Sequence, residues 1–386
     1  MNEPISDALS LLREITQSVA ADVVAPEAEA VDAQASWPEA GMSALRASGL
    51  TGLTAPRKVG GQGQGLLGLA TVTEILGRAC SSTAMCYGMH CVATAVIAAK
   101  ATKLQEETYL APIAAGHHLT TLALSEAGTG AHFFLPETRL ARDEGGFTIS
   151  GEKQFVTNGS RADSYVISTV ASAGAREGEF NCLVVDAQTP GLQWGDAWRG
   201  LGMRGNESRS LRLDGVRLPT SHLLGEEGDQ IWYVFEVVAP YFLTAIAATY
   251  LGIAQAALDL AIQHLKGRRF SHTGGTLADV EVLQHRVGQL WMGVEKCRLL
   301  LQHAAHLGDL GSSNALTAIL ASKADAANVA VATTNEAMTL CGGMAYRENS
   351  TLARLLRDAR ASHVMSPTTE MLTTWTGRSA LGLSLF

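Results

Sequence analysis

The sequence predicts an α+β chain in three consecutive parts: a helical N-terminal domain over residues 1–118, a small β domain over 119–227 and a helical C-terminal domain over 228–386. Three observations carry this. Apolar residues recur at three and four positions from residue 5 to about residue 115. The period drops to two, or to short β-rich runs, between Leu119 and Leu224, and the helical period returns from Gln230 to the end.

In the first part, Pro26, Pro38 and the loop at 56–65 break the helical pattern into separate helices. The β part is made of short runs at 147–149, 154–157, 165–169, 182–185 and 211–213. Turn signals at Gly145-Gly146, Asn158-Gly159, Pro190-Gly191 and Asp214-Gly215 separate them. In the third part, Leu251, Ala254, Leu258, Ile262 and Leu265 form one apolar stripe, with Gln255, Asp259 and Gln263 on the opposite face. Residues 316–340 are so rich in Ala and so poor in charge that they read as buried on most sides, which implies helical packing between subunits. No internal repeat or low-complexity tract interrupts this order.

A chain of 386 residues, 47% hydrophobic and 17% charged, can bury a substantial core and suits a helix-rich globular protein. Its formal charge of -8 argues against general affinity for nucleic acid or an anionic membrane, since both need a dense positive field. Cys80, Cys86, Cys91, Cys182, Cys297 and Cys341 form no C-x-x-C pair and no zinc spacing, so they read as buried thiols in a reducing compartment, with no metal expected. The opening 21 residues are amphipathic and acidic, unlike a basic leader followed by an apolar run. No uninterrupted apolar run reaches about 18 residues, so no membrane span is expected and the expected location is the cytoplasm.

Five ordered segments resemble the acyl-CoA dehydrogenase family. GLTGL at 49–53 with GGQG at 60–63 is similar to the stretch before that family's substrate-lining helices. ALSEAGTGAH at 123–132 resembles its A-L-T-E-P-x-x-G-S-D signature, and GEKQFVTNG at 151–159 resembles G-x-K-x-W/F-I-T-N-G. LGMRGN at 201–206 and LGEEG at 224–228 resemble its exit from the β domain. GGMAY at 342–346 and RLLRDA at 354–359 resemble a G-G-x-G-Y and R-x-x-R-D-A pair, with Ala345 replacing the third glycine.

The resemblance implies a middle β-barrel or sandwich, a C-terminal four-helix bundle and an FAD-dependent α,β-dehydrogenation of an acyl-CoA thioester. It further implies a homotetramer or homodimer, with electrons passing to an electron-transfer partner or oxygen. It places Leu124 and Ser125 at the flavin's pyrimidine edge, Gly130 and Ala131 beside the pyrophosphate, and Thr157 near N5. Phe155 belongs to the same wall, where an isoalloxazine needs apolar surface with a few polar groups at its rim. Gly342 and Gly343 correspond to a loop that serves the FAD of a neighbouring subunit. The R-x-x-F-G motif is altered to KGRRFS at 266–271, leaving Arg268 and Phe270 as cofactor candidates, with a solvated basic helix end as the alternative.

The family's base is replaced. Removing a Cα proton while hydride leaves Cβ calls for a positioned carboxylate. In most members it stands eight residues beyond the Asp of R-D-A, which is Ser366 here, within VMSPTTEM at 364–371. In other members it lies ten residues before a glycine resembling Gly252, which is Phe242. The Ser366 N–H can still polarise a thioester carbonyl, and Thr368 matches the T of the family's E-G-T. Glu370 is a candidate replacement base or a solvated residue. His363 and His132 are alternatives, since flavin monooxygenases on this scaffold use His near the reacting atoms. Ser366-Pro367 also reads as a helix N-cap followed by Pro at the first helical position. A relocated base, a reduced-flavin-dependent monooxygenase and a non-catalytic acyl-CoA or flavin-binding relative all follow as readings.

Overall fold

The computed structural model describes residues 7–171 and 180–385; the first six positions of the acidic opening stretch lie outside them. The N-terminal helices are α1 (Asp7–Val19), α2 (Ala25–Gln34), α3 (Glu39–Ala47), α4 (Leu66–Ala79) and α5 (Ser81–Ala99). The strands follow as β1 (Thr120–Ala123), β2 (Arg139–Asp143), β3 (Gly146–Val156), β4 (Ser164–Ala171), β5 (Phe180–Asp186), β6 (Leu192–Ala197) and β7 (Arg209–Leu218). Then come α6 (Ala239–Gly267), α7 (Glu281–Asp309), α8 (Ala315–Cys341), α9 (Thr351–Val364) and α10 (Thr369–Ala380). The order of helices, sheet and helices is the expected one.

The strands form one sheet in the order β1-β4-β2-β3-β7-β6, with β5 also on β4. β1 and β2 run parallel to β4, and the remaining pairs are antiparallel. Two of the short runs read from the sequence, 147–149 and 154–157, belong mostly to the single strand β3. Asp214-Gly215 is no turn: it is an irregularity inside β7, where Gly215 takes φ +60° and the register against β3 shifts. β1, β2 and β6 were not read as strands. β1 is buried at all four positions and so shows no alternation, and β2, RLARD, is mostly polar.

α6 packs on α4, α5, α7 and α8, and α8 in turn packs on α7, α9 and α10. The apolar stripe of α6 is buried at Leu251, Ala254, Leu258 and Leu265. Its polar face is engaged as well: Gln255 accepts from Arg298, and Asp259 pairs with Arg78. Ser81–Ala99, Gln230–Gly267 and Ala315–Met344 are long and apolar enough, by length and composition, to cross a membrane, which uninterrupted runs alone did not reveal. In this fold 89%, 83% and 44% of those windows are buried, so the Ala-rich third is less enclosed than its composition implied. All six cysteines are buried and free.

His90 on α5 joins the helices to the sheet. Its Nδ1 accepts the Thr120 N–H at 3.1 Å and its Nε2 donates to Thr51 O at 2.9 Å, so both nitrogens are used in the neutral form. Complete burial holds its pKa down to about 4. In the unfolded chain the imidazole takes its proton near the usual 6.5, so between the two values the unfolded state binds more protons. This contribution is full above pH ~6.5 and declines as pH falls to ~4, at about 1.4 kcal/mol per unit. Urea denaturation across that window is expected to show the slope, and a His90→Asn variant to lack it.

Candidate active site

A cavity of about 610 Å³ is walled by all three parts of the chain. Met85 and Met89 come from α5, Leu122 and Leu124 from the end of β1, and Phe155 and Thr157 from the end of β3. Trp198, Met203 and Asn206 come from the segment between β6 and β7. Phe242 on α6 and residues 364–366 and 368 close the far side.

Local backbone features aim these side chains. The register between β3 and β7 shifts again between Lys153 and Val156, and there Phe155 takes φ +54°. Such a bulge re-aims a side chain, and Phe155 stands 57% exposed, edge-on to Trp198 with ring centroids 5.3 Å apart. Gly202 permits a close approach: a Cβ there would lie 2.4 Å from Arg357 O. Arg357 bonds Leu201 O at 3.0 Å and pairs with Asp32 of α2. Its neighbour Asp358 accepts the Met203 N–H at 2.6 Å and the Ser81 hydroxyl at 2.5 Å. Burial raises the Asp358 pKa. Two successive residues of α9 thus clamp the N-terminal helices and the β part together.

Glu126 is the carboxylate on the lining, and its oxygens are committed. It accepts from the Glu137 N–H at 2.7 Å, the Thr138 N–H at 3.2 Å and the Thr138 hydroxyl at 2.8 Å, and it pairs with Lys153. Lys153, 0% exposed, also donates to Ser168 O at 2.6 Å. Burial lowers its pKa to about 8, against the pull of Glu126. This pair fixes the loop that carries Gly130 and Ala131.

Leu124, Ser125, Gly130, Ala131, Phe155, Thr157, Ser366 and Thr368 all line this one cavity, as does Phe242. Arg268, Phe270, Gly342 and Gly343 lie outside it and are exposed. Neither Glu370 nor His363 is brought into it. Glu370 is solvent-exposed in the first turn of α10, and His363 is half-buried on α9 and absent from the lining, with its Nε2 buried and unbonded. His132 is exposed beside Phe134. Ser366 is not a helix cap either: Thr368 caps α10 by accepting the Met371 N–H, while the Ser366 hydroxyl donates to Ala131 O at 2.8 Å. Met85 and Met89 were missed because their i, i+4 spacing reads equally well as core. Trp198 was missed because a lone loop tryptophan carries no pattern.

The family models for the N-terminal, middle and C-terminal domains of acyl-CoA dehydrogenase match residues 6–117, 121–216 and 242–381. Cyclohexane-1-carbonyl-CoA dehydrogenase of Geobacter metallireducens is 30% identical over 93% of both chains. The chain belongs to the acyl-CoA dehydrogenase family. Cyclohex-1-ene-1-carbonyl-CoA dehydrogenase of the same organism is 29% identical, covering 98% of this chain and 99% of that one. The butyryl-CoA dehydrogenase structure from Megasphaera elsdenii superposes with a TM-score of 0.93 at 25% identity, over 99% of this chain and 100% of that one.

As a member of the acyl-CoA dehydrogenase family the protein is a flavoprotein oxidoreductase of the CH–CH class with FAD as cofactor. The residues present fit that group. Leu124, Phe155 and Trp198 offer the apolar surface a flat ring system needs, and Ser125, Thr157 and Thr368 offer polar groups beside it. Gly130, at φ +54°, has nothing within 4 Å of where a Cβ would stand, which leaves its backbone open to a diphosphate. No free carboxylate or imidazole lines the cavity among the described residues.

Proposed function

We propose that this acyl-CoA dehydrogenase relative removes hydrogen across the α,β bond of a compact acyl-CoA thioester: the Cβ hydride passes to the cofactor, and the Cα proton, acidified by carbonyl polarisation, passes to solvent water at the cavity's open rim beside Phe155, Trp198 and Val364. FAD supplies the hydride acceptor. The supporting observation is the single cavity in which the flavin-wall residues Leu124, Ser125, Phe155 and Thr157 face the loop carrying Ser366. Met85, Met89 and Phe242 give the acyl group an apolar bed. Relatives named for cyclohexane- and cyclohexene-carbonyl-CoA are in keeping with a compact acyl group.

The chain's own groups act as follows. Ser366 offers its backbone N–H to the thioester oxygen, where negative charge develops as the Cα proton becomes acidic. Its hydroxyl is occupied by Ala131 O, and a serine hydroxyl is in any case too weak a base for this proton. Apolar side chains on the inner wall lower the local dielectric and strengthen the polarising contact, while the open rim leaves water within reach as the proton acceptor. With His363 absent from the lining, the monooxygenase reading rests on the replaced glutamate alone.

Oligomerisation belongs to the same proposal: Trp291, Met292 and Leu299 on α7 are each more than half exposed, and Gly342 and Gly343 face solvent, as a loop serving a neighbouring FAD would. Light scattering of the holoprotein is expected to give two to four chains, and a monomer would count against this part. Anaerobic mixing of the holoprotein with short-chain and cyclic acyl-CoAs is expected to bleach the flavin absorbance slowly. No bleaching by any of them would sink the reading.

A further inference from the structure

We propose that Lys323 is a positioning residue for this reaction, whose ammonium holds and polarises the Met365–Ser366 peptide so that the Ser366 N–H becomes a stronger donor to a thioester carbonyl. The inference rests on the reading of the cavity as an acyl-thioester site. Lys323 stands on α8 and is 0% exposed. Its Nζ donates to Ser362 O at 2.9 Å, Met365 O at 3.3 Å and Pro367 O at 2.9 Å. These bonds use every donor of an ammonium and draw the turn between α9 and α10 around one charge.

A buried cation bound only by neutral carbonyls is costly, and two features keep it charged. It sits at the C-terminal end of α9, where the last carbonyls lack helical partners and the helix dipole favours a cation. Glu370 on α10 also raises its proton affinity, although burial leaves its pKa at about 8. The ammonium is therefore present at neutral pH.

The Met365 carbonyl and the Ser366 N–H are two ends of one peptide group. A cation at the oxygen draws density away from the nitrogen and strengthens the N–H as a donor, as hydrogen bonds in series polarise one another. The Ser366 N–H has no partner among the described residues, and Ser366 lines the cavity. Its hydroxyl bond to Ala131 O anchors the residue from the other side. Lys323 touches no substrate and acts through this peptide.

The test is the infrared carbonyl stretch of [1-13C]butyryl-CoA bound to the FAD holoprotein. In the wild type the band is expected below that of the free thioester, and in Lys323→Met the displacement is expected to shrink at unchanged FAD content. Flavin reduction at saturating ligand should fall about tenfold, while the Kd for the thioester stays within about twofold. A residue that merely capped α9 would change stability and leave the band where it was, so an undiminished displacement in flavin-loaded Lys323→Met overturns the proposal. If that variant does not retain FAD, Lys323→Gln, which keeps donors without the charge, takes its place. Failure of both to fold assigns Lys323 a structural role and also overturns it. A wild type with no bound carbonyl band sinks the active-site reading and this proposal with it, whereas a displaced band unchanged in the variant sinks only this one.

Discussion

Ser366→Glu is expected to raise the rate of flavin reduction by a butyryl-type acyl-CoA by about 10²–10⁴-fold, the usual worth of a positioned general base. The native cavity already offers residues that fit a flavin and an apolar bed. Ser366 lies on its lining, beside the residues that fit a flavin. The substitution sacrifices the bond from the Ser366 hydroxyl to Ala131 O, a loss of about 1 kcal/mol and small beside the kinetic gain. Stopped-flow reduction under anaerobic conditions reads the outcome directly. A gain below about tenfold would mean that the turn at 366 does not present its side chain to Cα.

Lys153→Met is the substitution expected to cost most in stability. It strands the Glu126 carboxylate, 6% exposed, without its cation. Removing one partner of a buried pair typically costs about 3–5 kcal/mol, because the remaining charge is left uncompensated in low dielectric. The Glu137 and Thr138 donors offset part of this, so the lower half of that range is the expected result. Because Glu126 anchors the loop bearing Gly130 and Ala131, FAD retention should fall together with the urea midpoint. Adding Glu126→Gln to Lys153→Met removes the stranded charge and is expected to recover part of the loss. A single variant as stable and as yellow as the wild type would show that the pair contributes nothing net.

The three-part architecture was legible because periodicity survives in long segments: the stripe of α6 could be read residue by residue, and β4 and β5 carry the short apolar runs 165–167 and 182–185. β1 escaped notice because a strand buried on both faces does not alternate. Asp214-Gly215 misled because the same dipeptide suits a turn and a bulge, and only the register against β3 distinguishes them. At the site, the motif residues 124, 125, 130, 131, 155 and 157 were brought together as the resemblance implied. Glu370 and His363 are absent from the lining for a geometric reason. Proximity in sequence to Ser366 says nothing about which side of α9 or α10 a side chain takes once those helices pack. Lys323 carried no signal at all, since a lysine in an Ala-rich helix reads as a solvated residue until the turn that wraps it is seen.

The adjacent clamps at Arg357 and Asp358 bear on how anything reaches the interior. One holds α2 and Leu201, the other Met203 and Ser81, so swinging either flank outward breaks charged hydrogen bonds at α9, those of Asp358 buried and those of Arg357 partly exposed. A gate built on that seam would be prohibitively stiff. The lining is open to solvent instead at Ala127, Gly130, Phe155, Trp198 and Val364. The cavity is thus open along one rim and braced by charged bonds on its α9 side.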